Sequence, residues 1–341
     1  MMSFVISKKS YTILILITIV IILILFKSIN SKKVFNSKDN LDITIAAYKG
    51  DSGALVYLTK DQEFFKEYGL NVKIKDYEAG KLATDALLVG EADISTATDS
   101  VFVSNSFKHA IRTIGTISLA KTNRLIARRD YGIDKINDIE DIKGKKIAVT
   151  RKSTGEYYLG RFLTYNNLSW SDIEVVDFSP SEIVNAVITG EVAGGFSWDP
   201  YIYKIEKELG SDAICWQGQS RQAFNFILIT KGKWLNNNQK AAKKLLQALI
   251  KGENYIKNNQ EETKDYIKNK FNLSTQYVND SWKRHEYMVS LLQSMIISFE
   301  DQAKWRIENQ LTDLKKAPNY LEYIYTKALK EIDPTKVTII K

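Results

Sequence analysis

Five short stretches carry the residues able to do chemistry on a small molecule, and each stands where a β-rich run gives way to a helical one. They are Tyr48 with Gly50, Asp51, Ser52 and Gly53; Glu78-Ala79-Gly80; Thr98-Asp99-Ser100; Ser153 through Tyr157; and Trp198-Asp199-Pro200. A strand-to-helix loop exposes the unpaired N–H groups of the first helical turn at the carboxyl end of a sheet, the usual place for a polar ligand in open α/β folds. The spacing therefore predicts a substrate-binding set of Tyr48, Asp51, Ser52, Glu78, Gly80, Thr98, Asp99, Ser100, Thr154, Gly155, Glu156, Tyr157, Trp198 and Asp199. Several of these residues also read as helix caps: Asp51 or Ser52, Asp99, and the pair Ser153-x-x-Glu156 as a capping box. The two roles coexist.

The chemistry on offer is recognition, not bond breaking. Tyr48, Tyr157 and Trp198 supply flat amphipathic surfaces at low entropy cost. The carboxylates of Asp51, Glu78, Asp99, Glu156 and Asp199 would repel a bare oxyanion such as nitrate or sulfate and accept hydrogen bonds from an amine or amidine. A nitrogen-bearing small molecule is the expectation, an aminopyrimidine or an amino-sulfonate. His109, ahead of a strand, and His285, read as part of a surface helix, are the two histidines, and Cys215 is the single cysteine. No Cys/His, metal or Ser/His/Asp set follows from them, so no catalytic residue, metal or cofactor is expected, nor a disulfide. A phosphate-binding glycine loop and a Rossmann glycine fingerprint are also missing from the sequence.

The elements that position these loops alternate regularly. Leu41–Tyr48 reads as a strand, a helix with Leu55, Val56, Leu58, Phe64 and Phe65 on its apolar face follows, and Asn71–Tyr77 is the next strand. The pattern continues with a helix over 81–89, strand 94–96, helix 99–107 and strand 111–119. A second series starts at Lys143: strand 146–150, helix 153–165, strand 173–178, helix 181–188 and strand 195–198. Phe224–Thr230 is one more strand, and from Lys240 the chain reads as helical until Asp333-Pro334 and a final extended VTII. Two similar α/β lobes in series are implied, each a mainly parallel sheet flanked by helices.

At 341 residues with 44% hydrophobic and 11% aromatic content, the chain is long enough for both lobes. The net charge of +8 does not argue for a nucleic-acid partner: six lysines against Asp39 place +5 of it in residues 1–40. Tyr11–Phe26 is a membrane-inserting run, preceded by Lys8 and Lys9 and followed by neither a small-residue cleavage site nor a lipidation cysteine. An uncleaved anchor with the rest of the chain outside the cytoplasm is expected over a cleaved export signal. The organisation reads as a basic terminus over 1–10, the anchor or signal segment over 11–26 and a linker over 27–40. Lobe 1 spans 41–122, lobe 2 spans 123–224, and 225–341 returns to lobe 1 and adds C-terminal helices.

These segments, in this order, resemble the nitrate/sulfonate/taurine-type substrate-binding proteins of ABC transporters, a group that includes binders of thiamine-pyrimidine precursors. The marks are AAYKGDSGAL, EFFKEYGLNV, the YEAG loop, GEADISTATDS, DIEDIKGKKIAVTRKSTGEYYLGRFL, GEVAGGFSWDPY and the terminal DPTKVTII, over roughly residues 41 to 340. The resemblance implies a type II periplasmic-binding fold whose lobes are joined by two crossing strands, placed near Lys121–Arg128 and Arg221–Thr230. It implies a monomeric receptor that holds a small molecule between the lobes and hands it to a membrane permease. Trp198-Asp199-Pro200 matches the family's Trp-x-Pro turn, whose ring lines the cleft. Thiamine-pyrimidine synthases share the fold but carry a cysteine-rich segment and an essential histidine, neither evident here. A receptor that signals to a membrane partner is the other alternative.

Overall fold

In the run LDITIAAY, three β-branched residues precede two alanines, and from Ile45 onward every side chain is buried, the mark of a strand covered on both faces. This strand, β1 (Leu41–Tyr48), is flanked in parallel by β2 (Leu70–Tyr77) and β3 (Ile94–Thr98). The connections are helical: α1 (Ala54–Asp61) and the single turn α2 (Phe64–Glu67) join β1 to β2, and α3 (Gly80–Val89) joins β2 to β3. After β3 come α4 (Asp99–Ser106), β4 (Ile111–Ala120) and β5 (Asn123–Arg128). The computed structural model describes residues 41–133, 139–219 and 222–340; the apolar run at 11–26 and the linker after it lie outside the described residues.

The second series repeats the first. Strand β6 (Lys146–Val149) pairs in parallel with β7 (Glu174–Asp177) and β8 (Gly194–Trp198), connected by α5 (Thr154–Tyr165) and α6 (Pro180–Thr189). Helix α7 (Tyr201–Leu209) and β9 (Ala213–Gln217) follow. β10 (Phe224–Lys231) then leads into α8 (Gly232–Asn237), α9 (Gln239–Asn258), α10 (Gln260–Phe271) and α11 (Thr275–Trp282). The chain closes with β11 (His285–Ser290), α12 (Gln293–Glu308) and α13 (Lys327–Ile332).

The strand orders are β11-β4-β10-β3-β1-β2 in one sheet and β7-β6-β8-β5-β9 in the other. Beside each parallel trio lies a strand that has arrived from the opposite lobe: β10 beside β3, and β5 beside β8, both antiparallel. The sheets are therefore mixed, where each was expected to be mainly parallel. A chain that enters from the far side through a short crossing runs against the strands it meets. The crossings occupy Lys121–Thr122 and the segment between Gln217 and Phe224.

The C-terminal stretch, read as largely helical, also holds a strand. HEYMVS forms β11 on the edge of the first sheet, with Tyr287, Val289 and Ser290 buried. The final VTII is irregular, tied to the body by a bridge between Val337 and Leu291. Large apolar side chains such as Phe65, Phe102, Phe196 and Phe299 are fully buried, each contributing about 1.5–3 kcal/mol relative to exposure. Among the described residues no helix is long and apolar enough to cross a membrane.

Candidate functional site

The first loop turns sharply because Gly50 and Gly53 leave room. A Cβ on Gly50 would stand 2.4 Å from the Tyr48 ring, which folds back over it. Gly80, at the start of α3, approaches β3 so closely that a Cβ would meet the Ala97 Cα at 2.7 Å. This contact brings the N-terminus of α3 against the carboxyl end of β3, where Thr98 holds the position just before α4. Across from them, Ser153 caps α5 and accepts a hydrogen bond from the Gly155 N–H at 3.0 Å. Three helix N-termini, whose first-turn N–H groups have no acceptor within their own helix and which carry a partial positive charge, thus meet at one place between the lobes.

There they enclose about 370 Å3 of empty space, part of it open to solvent, lined from the first lobe by Tyr48, Ser52, Gly80, Lys81, Thr98 and Val101. Ser153, Thr154 and Trp198 line it from the second, and Asn123, Phe224 and Phe226 from the strands at the crossings. Of the predicted set, Tyr48, Ser52, Gly80, Thr98, Thr154 and Trp198 come together here. Tyr48 stands edge-on to Phe226 with centroids 5.8 Å apart, and Trp198 edge-on to Tyr201 at 5.9 Å. Burial, helped by Tyr201 and Asp51, pushes the Tyr48 phenol well above its ordinary value, so it stays a neutral donor and acceptor.

The remaining predicted residues stand back from the lining, for identifiable reasons. Asp51 accepts from the Tyr277 hydroxyl at 2.6 Å and from the Ser52 N–H at 2.9 Å. Asp99 accepts from the Asn225 backbone and side chain, both at 3.0 Å, and from Ser298 at 3.1 Å. Burial raises its pKa, and those donors oppose the rise. Ser100 gives its N–H to the same carboxylate, and the Gly155 N–H is taken by Ser153. Glu156 is bound by Arg151 at 3.3 Å and Arg306 at 3.2 Å. Tyr157 packs edge-on to Trp305, 5.2 Å between centroids, and accepts from Arg161. Asp199 sits between Arg124 at 2.6 Å and Arg284 at 3.0 Å. Glu78 enters through its carbonyl, which accepts from the Tyr201 hydroxyl at 2.8 Å. The argument from free carboxylates against an anionic ligand therefore loses its premise: no carboxylate lines the cavity.

Many of these contacts join the lobes. Thr154 donates to Thr98 at 2.5 Å across the cavity wall, Tyr201 reaches the Glu78 carbonyl, and the Glu156–Arg306 and Asp199–Arg284 pairs span the seam. The lobes are closed on each other.

Sequence reasoning missed several residues. Phe224 and Phe226, two apart on β10, point to one side, a period-2 signal that was visible. Asn123 opens β5 just after one crossing and Gln219 lies in the other, where no periodicity marks a role. Gln219 Oε1 accepts from the N–H groups of Thr122 and Asn123 and from Asn123 Nδ2, while its Nε2 donates to the Ala120 and Gln222 carbonyls. His285, expected on a surface helix, opens β11 with its ring buried, because the edge strand runs beneath the first loop.

A family model described as NMT1/THI5-like matches residues 52–263. The chain belongs to the NMT1/THI5-like family. The taurine-binding periplasmic protein of Escherichia coli (strain K12) is 26% identical over 170 residues, covering 49% of this chain and 51% of that one. Among solved structures, the alkanesulfonate-binding protein of Xanthomonas axonopodis pv. citri, bound to MOPS, superposes with a TM-score of 0.72 at 17% identity, covering 83% of this chain and 98% of that one. A desulfurization enzyme has the same fold more distantly, at a TM-score of 0.57 and 13% identity, covering 85% of this chain and 99% of that one. This member of the NMT1/THI5-like family is thus a substrate-binding protein of the nitrate/sulfonate/taurine type, built on the type II periplasmic-binding fold.

Proposed function

We propose that this chain is an extracytoplasmic receptor, tethered by residues 11–26 or exported, that captures a small nitrogen-bearing organic anion between its lobes and delivers it to an ABC importer. An amino-sulfonate fits better than an aminopyrimidine. The observation that carries the reading is the lining of the cavity: three helix N-termini and hydroxyls of Ser52, Thr98, Ser153 and Thr154, with Lys81 held by Asp85 at 2.7 Å and every nearby buried carboxylate paired away from the cavity. Such a lining stabilises negative charge without a fixed counter-ion in its centre. The aromatic rings of Tyr48, Trp198, Phe224 and Phe226 suit the carbon chain between the ligand's polar ends. MOPS, found in the structurally similar alkanesulfonate binder, likewise joins an amine to a sulfonate.

Function then follows from closure. A ligand touching both sides adds contacts that exist only when the lobes meet, so it shifts the population toward the closed form that a permease docks. No covalent step is needed. The test is calorimetry and thermal shift with taurine, ethanesulfonate, an aminopyrimidine and nitrate. Binding of taurine with stabilisation of the fold is the expected result; stabilisation by inorganic anions alone refutes the reading.

A further inference from the structure

Two polar groups in the cavity wall have their hydrogen-bonding sense fixed from behind. His285 Nδ1 lies 2.9 Å from the Ser281 carbonyl, which only accepts, so Nδ1 carries the proton. Its Nε2 lies 3.0 Å from Ser52 Oγ. The ring is buried and stacks on Tyr287. The nearest carboxylate oxygen, Asp51 Oδ1, is 3.6 Å from Nε2 and already accepts the Ser52 N–H, while Asp51 Oδ2 accepts from Tyr277. With the proton on Nδ1 alone, Nε2 is the acceptor and the Ser52 hydroxyl proton points at it. What Ser52 then offers the cavity is lone pairs.

Asn123 arrives at the same sense by a different route. Gln219 is oriented by backbone groups on both of its amide atoms, so its Oε1 is the oxygen, and the Asn123 atom 3.0 Å from it is the Nδ2 donor. Asn123 Oδ1 is left buried, with no hydrogen-bond partner among the described residues, in a side chain that lines the cavity. A buried acceptor without a donor is destabilising, and a ligand N–H would recover that loss.

We propose that His285 is a positioning residue that fixes Ser52 as an acceptor, and that Ser52 and Asn123 together read an N–H donor on the ligand. This rests on the cavity being the ligand site and names the part of the ligand that these residues select. An analogue with hydrogen in place of the amine leaves both acceptors unpaired, the situation in which polar sites discriminate most strongly.

The experiment has two arms on the full chain. Nitrogen NMR of the imidazoles, simple to assign because the other histidine, His109, is exposed, should place the His285 proton on Nδ1 alone. A proton on Nε2, or on both nitrogens, overturns the proposal whatever the ligand is. Calorimetry should then show taurine binding about 100-fold or more tighter than ethanesulfonate. His285→Leu should shrink that ratio to within about threefold, and His285→Gln, whose amide can donate to Ser281 and accept from Ser52, should restore most of it. An unchanged ratio in His285→Leu overturns the positioning role. Should neither compound bind, the amino-sulfonate reading falls, while the proton position still decides the sense of Ser52.

Discussion

The cavity and the seam around it are built from opposite materials. The cavity wall is neutral hydroxyl, amide and aromatic surface with one lysine, and its helix N-termini provide the remaining polarity. The seam is charged: Asp199 lies buried between Arg124 and Arg284, and Glu156 between Arg151 and Arg306. Charges removed from water are costly unless each meets its partner, so they suit contacts that must be made in one geometry only. Neutral dipoles are cheaper to leave solvated and suit a site that opens. Sequence position does not separate the two, since Trp198 lines the cavity while its neighbour Asp199 belongs to the seam.

The strongest way to break this comparison is at Asp199. Asp199→Ala leaves Arg124, almost wholly buried, with Glu206 as its one ion-pair partner among the described residues, and should cost about 3–5 kcal/mol in chemical denaturation. A loss under about 1 kcal/mol would mean that the seam does not depend on its charges. On the cavity side, Trp198→Ala should weaken ligand binding by about 1.5–3 kcal/mol, ten- to a hundredfold, with the unfolding midpoint nearly unchanged. Unaltered affinity in calorimetry removes Trp198 from the site. Arg284→Ala should cost about 1 kcal/mol or less, since its side chain is 28% exposed and Arg124 still holds Asp199; small-angle scattering should find a larger open fraction.

The smallest effect concerns Cys215, whose thiol burial pushes up to about 12. The thiol, not the reactive thiolate, is therefore the form present at neutral pH, and the thiolate gains only as the pH climbs toward that value. A disulfide reagent at pH 8 should label the folded chain slowly and the denatured chain at once. Rapid labelling of the folded chain would contradict the burial.

The fold was legible because periodicity reports burial: LDITIAAY and KIAVT read as strands, and the helices given bounds came within a residue or two of their observed ends. Half of the cavity was legible for the same reason, since a strand-to-helix loop has a fixed place in an α/β sheet. What could not be read was direction within the loop. Asp51, Asp99 and Glu156 stand beside residues that line the cavity, but their carboxylates face donors on Tyr277, Ser298 and Arg306, more than a hundred residues further along the chain. The same distance hid His285, because only the pairing of β11 with β4 places it behind Ser52.

Gln219 gives the double crossing a mechanical meaning. Its amide grips both crossings at once, through Ala120, Thr122 and Asn123 on one side and Gln222 on the other. Two separate links would leave the halves free to twist as well as swing. Pinned together, they would turn as an axle, and a lid on an axle returns along a single arc to the same closed face.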